Sequence, residues 1–367
     1  MSNEPTWVVV THALLPNGPS HRLVRALLRD GRAVAACAVP LPGASRWRAE
    51  RMLPGAQAPH VLTDEVRRVP LVRELWSAFD VTRFAWQLER AGCRDVVLVG
   101  CDPVSFLEAA VAFRSVPIRV RASAVWFVDW SAQRLQQPVT AAAYRLVARV
   151  ALGLADLAAA ISPAAASELT HVGRRRHEVL VLANQPLDLG TGPAWVDRPQ
   201  SVAYVGGLSE QQGVDVLLGA AAAVGREGVM VDIVGDGPAR NAVARAVTNL
   251  PGVYFHSLVD GRDELAEVLL RARVGWALYD PQFPMHAFND PLKIKDYLAA
   301  GMHVVSTLPT SVADGAIMTV ECRVDAVAAA TRRALVVPPF PDPLSHPLVV
   351  DAGQSLRAFL TAVDSVL

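Results

Sequence analysis

Lys293 and Asp296 stand three residues apart in the stretch NDPLKIKDYLAAG, residues 289–301. The chain uses 33 arginines and only two lysines, and both lysines, Lys293 and Lys295, fall in this stretch. Asn289 or Asp290 suits an N-cap, Pro291 the first helical turn and Gly301 the stop, so the stretch reads as a helix. At about 100° per residue, Lys293 and Asp296 share a face, whereas Lys295 lies roughly 200° from Lys293 and reads as a surface residue. An ammonium in a first helical turn is unfavourable by about 0.3–1 kcal/mol unless an anion binds there. A carboxylate one turn further on can accept hydrogen bonds from the two vicinal hydroxyls of a ribose. The pair therefore suits a nucleoside diphosphate, with lysine and helix end on the phosphates and aspartate on the sugar. The plain alternative is an i,i+3 salt bridge on a solvated face, worth a few tenths of a kcal/mol. A chain this biased toward arginine would be expected to use arginine for a generic surface charge, which favours the ligand.

Two glycine turns precede that helix. YVGGLSEQQG places Gly206 and Gly207 directly after an apolar run, and DIVGDGP places Gly235, Asp236 and Gly237 after another. Strand-to-helix turns also take glycine for steric reasons alone. Together with Lys293 they point to a phosphate-bearing ligand.

The earlier part of the chain offers groups for a second substrate. In HALLPNGPSHR, Gly18 allows close backbone approach, and His12, His21 and Arg22 suit polar or anionic groups. Asp129 ends the apolar run of VWFVDWSAQR, where a carboxylate would face a cleft as a base or position a hydroxyl; a helix N-cap before SAQR is the other account. Arg134 is a phosphate partner or an ordinary helix residue.

These residues need a scaffold, and the pattern supplies one. Trp7–Val10, Val34–Val39, Asp95–Val99 and Ala122–Val128 read as buried strands separated by helix-length segments. Such alternation implies a parallel sheet covered on both faces. NQPLDLGTGPAWVDRPQ, residues 184–200, has the composition of an interdomain linker. The pattern then restarts with strands at Val202–Val205, Val229–Val234, Val253–His256, Val274–Leu278 and His303–Ser306, and helices at Val214–Val224, from Pro291, and at Ser355–Val366. The expectation is α/β with two doubly wound Rossmann-like domains facing across a cleft: 1–185 for the acceptor, 186–350 for the donor, and a helix at 351–367 returning toward the first.

Composition bounds the function. A 367-residue chain with 52% apolar residues fills two cores. The formal charge is zero, but residues 1–185 hold 22 arginines against 15 acids, leaving the halves at +7 and −7. A basic half could face an anionic partner or membrane surface, or its arginines could be scattered over a solvated surface. No run approaches the roughly 20 apolar residues of a membrane span. The N-terminus lacks signal-peptide character, and four cysteines without metal or redox spacing suit a cytoplasmic protein. Asp-x-Asp and clustered metal ligands are absent, so no essential metal and no cofactor are expected. Gly-x-Ser-x-Gly is absent, which removes a common hydrolase, and balanced charge without a basic-aromatic run argues against nucleic acid. Arginine in place of lysine suits a GC-rich bacterial genome.

The segment FNDPLKIKDYLAAGMHVVSTLP resembles the nucleotide-sugar site of GT-B glycosyltransferases, in particular the retaining family 4-like group with the pattern P-x-K-x-x-E-Y-L-A-x-G-x-P-V-V. The resemblance extends over SVAYVGGLSEQQGVDVLLGAA, VDIVGDGP and PGVYFHSLVDGRDELAEVLLRARVGWALYD, and more weakly over VWFVDWSAQR and ADLAAAISPAAASELT. It implies Lys293 on the donor diphosphate, Asp296 in the place of the family's glutamate on the ribose, and Gly206, Gly207, Gly235 and Asp236 bordering the donor. It also implies backbone near Leu258 and Val259 on the nucleobase, with Asn289, Pro291 and Leu292 opening the donor helix. Gly207 and Gln212 stand where many members carry arginine and lysine, Phe288 where they carry a first acid, and His303 where they carry proline. A subgroup with P-L-K-x-x-E-Y signatures also lacks the arginine and lysine.

By that resemblance the protein is a glycosyltransferase moving a hexose-like sugar from a UDP, GDP or dTDP sugar, as co-substrate, to a small-molecule, saccharide or lipid-linked acceptor. Transfer with retention and without metal is implied, with the donor phosphate able to take the acceptor proton and Asp129 or His12 as candidate catalytic groups. The alternatives are a non-catalytic GT-B nucleotide-binding or scaffold protein, favoured by Gly207, Gln212 and Phe288, and a nucleotide-sugar epimerase. The expected partners are the donor and an acceptor, without nucleic acid or a transmembrane segment and with room for weak peripheral membrane contact.

Overall fold

The computed structural model of the protein describes residues 4–11, 18–38, 61–62, 72–129, 137–173, 178–257, 259, 261–310, 312, 315–338 and 343–367. Two compact units emerge. One holds Met1–Gln185, Ala287–Asp290 and Ala352–Leu367, and the other Pro186–His286 and Pro291–Asp351. The segment 287–290 thus groups with the first unit, a return that the sequence boundaries at 185 and 350 do not contain.

The first unit is built on seven parallel strands: β1 (Thr6–Thr11), β2 (Val34–Ala38), β3 (Val61–Leu62), β4 (Asp95–Gly100), β5 (Arg119–Phe127), β6 (Leu157–Ala160) and β7 (Leu180–Val181). Their order is β3-β2-β1-β4-β5-β6-β7. The helices are α1 (Pro19–Arg29), α2 (Val72–Arg90), α3 (Pro103–Arg114), α4 (Pro138–Leu154) and α5 (Pro163–Gly173). Alternation along β1 shows why its apolar run is continuous. Trp7 and Val9 enter one core, while Val8 and Val10 enter the core under α2 and α3, so both faces are covered.

The second unit has six parallel strands: β8 (Ser201–Val205), β9 (Met230–Val234), β10 (Val253–His256), β11 (Val274–Ala277), β12 (His303–Ser306) and β13 (Ile317–Thr319), in the order β10-β9-β8-β11-β12-β13. Its helices are α6 (Val214–Gly225), α7 (Arg240–Val247), α8 (Arg262–Arg271), α9 (Leu292–Ala299) and α10 (Val324–Ala334). The last helix, α11 (Pro347–Val366), begins earlier than the sequence pattern suggests. Its residues Phe359, Leu360 and Val363 join the core around Trp7, and Asp364 takes both terminal nitrogens of Arg32 at 3.0 and 2.9 Å. In each sheet the strand order reverses beside its first strand, at β1/β4 and at β8/β11, which is where open α/β sheets form crevices.

The stretch 184–200 holds the unit boundary, between Gln185 and Pro186, as its linker composition suggests, and it is packed rather than loose. Trp195 donates its indole N–H to the Arg273 carbonyl at 3.2 Å and stacks under the Arg273 guanidinium. The buried Arg198 guanidinium donates to the Ala272 carbonyl at 2.9 Å. Prolines and glycines here shape a chain pinned along its own unit. The short strands β3, β6, β7 and β13 are absent from the sequence expectation because two to four residues carry too little periodicity.

Candidate donor-binding site

The C-terminal ends of β8 and β9 meet through their glycines. The Gly206 N–H donates to the Val234 carbonyl at 3.0 Å and the Leu208 N–H to the Asp236 carbonyl at 2.9 Å. A Cβ on Gly235 would overlap the Gly206 carbonyl, and one on Gly237 the Leu208 backbone, so the close pass of the two turns requires glycine. Between those two amides, the exposed Gly207 N–H has no partner among the described residues. Asp236 is exposed and its Oδ1 accepts from the Gly237 N–H at 2.8 Å.

Lys293 enters this corner from α9. The side chain is 8% exposed, and a Cβ on Gly206 would stand 2.8 Å from its Nζ. The ammonium donates to Gln212 Oε1 at 2.7 Å and lies 4.6 Å from the ring centroids of both Tyr204 and Tyr279. Among the described residues it has no carboxylate partner. Burial pushes its pKa down from 10.5 to about 7, while the ring faces and the amide oxygen favour the charged form. Gln212 ends a short 3₁₀ turn, Glu210–Gln212, followed by Gly213 in the left-handed conformation at φ 60°, a geometry that admits glycine readily. Tyr204 in turn donates its hydroxyl to the Gly207 carbonyl at 2.6 Å.

The helix differs from the expectation in three respects. Pro291 occupies the N-cap position without a side-chain cap, one place before its expected role in the first turn. Asp290 does not cap the helix; its Oδ2 accepts from the Asn184 N–H at 2.6 Å. Lys295 is not on the surface but 4% exposed, because every residue from Lys293 to Leu298 is buried and α9 has no solvated face. The helix stop is as expected, with Gly301 at φ 70° and the Met302 N–H closing on the Tyr297 carbonyl at 2.9 Å.

Asp296 is buried, and its Oδ1 accepts from the Leu187 N–H at 2.9 Å. One carboxylate oxygen therefore anchors the start of the second unit rather than pointing into open space. Leu292 and Pro291 are half-buried at the helix start, and Val259 packs against the core that contains Tyr297. Leu258 lies outside the described residues.

In the first unit, Gly18 is buried and precedes α1, and His21 and Arg22 are buried on that helix. Arg22 donates to the Gln185 carbonyl at 2.8 Å, so this guanidinium holds the end of its own unit together. Asp129 is half-buried just beyond β5, and Asn289 is half-buried in the segment 287–290. Phe288, where the resembling pattern has its first acid, packs partly buried against the core under α4 and α5. His12 and Arg134 lie outside the described residues.

Three contributors escaped sequence reasoning: Tyr204 and Tyr279, which sandwich the ammonium, and Tyr297. The Tyr297 hydroxyl accepts from the Val205 N–H at 2.8 Å and donates to the Trp276 carbonyl at 3.1 Å. Gly275 is required there, since a Cβ would overlap the Tyr297 ring. The available signal was position: Tyr204 and Tyr279 fall at the carboxyl ends of strands, next to a glycine pair and an aspartate.

Residues 199–336, in the second unit, match the model of the family described as Glycosyl transferases group 1. No curated protein matches the sequence. Among solved structures, sucrose-phosphate synthase from Thermosynechococcus elongatus aligns with a TM-score of 0.63 at 15% identity, covering 99% of this chain and 96% of that one. Anabaena HepE in complex with UDP and glucose aligns with a TM-score of 0.60 at 14% identity, covering 99% and 98%. UDP-GlcNAc 2-epimerase from Neisseria meningitidis bound to UDP-GlcNAc aligns with a TM-score of 0.58 at 11% identity, covering 98% and 100%. With the two parallel sheets these likenesses give the fold, GT-B with two Rossmann-like domains.

Proposed function

We propose that this chain, a glycosyltransferase by its second unit, moves a sugar from a nucleoside-diphosphate sugar to a hydroxyl of a small-molecule, saccharide or lipid-linked acceptor, with retention and without a metal. The observation that carries the donor assignment is the buried Lys293 ammonium, held by a neutral amide and two ring faces at the mouth of a glycine turn. A buried cation lacking a carboxylate is unfavourable in the empty protein and is compensated when an anion arrives. The diphosphate would take the Lys293 ammonium and the Gly207 N–H, two donors in place of the arginine and lysine that the related pattern supplies. As the glycosidic bond to the diphosphate breaks, negative charge grows on the leaving oxygens, and a fixed desolvated cation stabilises that change more than it does the ground state. The acceptor proton passes to the departing phosphate, so no side-chain base is required. Asp129 would then position the acceptor hydroxyl, and Asp296 would reach the ribose while still holding the Leu187 N–H.

UDP is the first donor to test, since two GT-B structures of similar fold were determined with UDP or a UDP sugar. The experiment is incubation of the protein with UDP-, GDP-, dTDP- and ADP-glucose, with and without a panel of sugar and alcohol acceptors and in the presence of chelator. Acceptor-dependent release of one nucleoside diphosphate that Lys293→Met abolishes is the expected result. Release of no nucleotide from any donor would overturn the transferase reading, and conversion of the donor sugar without acceptor would replace it by epimerisation.

A further inference from the structure

Three neighbouring helices of the first unit carry an outer face unlike the rest of a water-facing surface. α2 packs on α3, α3 on α4, and together they cover one side of the seven-stranded sheet. Along the described part of α2, residues 77–90, the exposed positions are Phe79, Arg83, Trp86 and Arg90, at helical spacings of four, three and four. Trp86 is 40% exposed. α3 adds Val111 and Arg114, both exposed. On α4 the exposed stripe holds Val139, Leu146, Val150 and Leu154, with Val139 at 80% and Leu146 at 59% exposure. Arg145 and Arg149 stand among them.

The acidic side chains described on these helices are withdrawn from that face. Asp80 is buried on α2, Glu89 pairs with Arg94 at 2.9 Å, and Glu108 on α3 accepts from the Ser77 hydroxyl at 2.8 Å. α4 has no acidic residue at all. By contrast Arg83, Arg90, Arg114 and Arg145 make no ion pair among the described residues; Arg149 donates to the Val172 carbonyl at 3.0 Å.

We infer that the outer face of α2, α3 and α4 docks peripherally on an anionic membrane surface. The occupant follows from charge and shape. Aliphatic and tryptophan side chains interleaved with arginine match a bilayer interface, where rings and methyls enter the headgroup boundary and guanidinium groups meet lipid phosphates. A second copy of the chain fits poorly, because a two-fold contact through this face would set arginine against arginine. No helix among the described residues is long and apolar enough to cross a membrane, so the attachment is in-plane. The inference does not rest on turnover by the second unit.

The test is flotation of the full chain with vesicles of phosphatidylcholine alone and with about one-third phosphatidylglycerol. The bound fraction should be at least roughly tenfold higher on the anionic vesicles and should fall as salt is raised. Trp86→Glu combined with Leu146→Glu should return it to background, with an unchanged thermal unfolding curve showing that the variant is folded. Absence of binding to anionic vesicles, or binding that the folded double variant retains, overturns the proposal. A wild type that dimerises in sedimentation velocity while the variant stays monomeric reassigns the face to a second copy. Capture of soluble polyglutamate without vesicle binding reassigns it to an acidic protein. If the double variant fails to fold, Arg83→Gln with Arg90→Gln takes its place, and undiminished vesicle binding by that pair counts against the proposal.

Discussion

The Lys293 Nζ donates to Gln212 Oε1 at 2.7 Å, so the lysine placed at the glycine turn is held by a neutral amide where a structural cation would have a carboxylate. That relationship separates what the residue does for the fold from what it does for a ligand, and the two respond in opposite directions to substitution.

Lys293→Met keeps the length of the side chain and removes the charge. Replacement of buried charge by apolar groups of similar volume is neutral or stabilising by about 1–4 kcal/mol. The variant should therefore unfold at the same or a higher temperature than the wild type, while UDP affinity falls by at least roughly tenfold, about 1.4 kcal/mol. Differential scanning calorimetry and isothermal titration measure the two. Loss of stability together with loss of affinity would make Lys293 a structural residue.

The pH dependence has a definite sign. Burial holds the folded pKa near 7 against 10.5 for the free side chain. Between those values the unfolded chain keeps a proton that the folded chain has released, so this group makes stability rise with pH from about 7 to about 10.5 and adds no slope well below 7. A bound diphosphate favours the ammonium, so affinity should fall above about pH 7, by up to roughly tenfold per unit. Titrations with UDP at about pH 6, 7.5 and 9 check this, and Lys293→Met should flatten both profiles.

Gln212→Glu would place a carboxylate where the amide oxygen now accepts from Lys293. The resulting ion pair raises the lysine pKa and competes with phosphate. UDP binding should weaken by roughly tenfold and lose its pH slope between about 7 and 9. Unchanged affinity in this variant would mean that the diphosphate does not meet the Lys293 ammonium.

Asp296 separates anchoring from sugar recognition. Asp296→Asn keeps an oxygen for the Leu187 N–H, so stability should change by less than about 1 kcal/mol. Asp296→Ala leaves that buried N–H unpaired, at a cost of about 1–3 kcal/mol. If the second oxygen serves the ribose, Asn also weakens UDP more than it weakens inorganic pyrophosphate. Equal losses for the two ligands would confine Asp296 to the anchor.

The sheets and the helix that carries Lys293 were legible because buried parallel strands are continuous apolar runs, as in Trp7–Val10 and His303–Ser306, and because Asp290-Pro291 and Gly301 mark a helix start and stop. Lys293 stood out through the rarity of lysine, and its burial beside the glycine turn agrees with that prominence. The placement of Lys295 failed because an amphipathic pattern assumes one solvated face, and α9 is enclosed on all sides. The tyrosines were missed for a related reason: an aromatic residue at a strand end reads as core until the cation beside it is known. The anchoring of Asp296 on Leu187 depends on a contact across 109 positions, which no local pattern encodes.

Tyr297 lies one turn along α9 from Lys293. The register between β8 and β11 covers only Val202–Ala203 and Val274–Gly275, and beyond it the phenol stands in for the missing rung by bridging the Val205 N–H and the Trp276 carbonyl. It spans the gap between the two strands at their carboxyl ends. The helix that carries Lys293 therefore also bridges the strands beside the glycine turn that Lys293 enters. Charge can be retuned at 293 without altering the bridge, whereas Tyr297→Phe is expected to remove the bridge with Lys293 still in place. Bridge and charge are two separate adjustments carried on a single turn of helix.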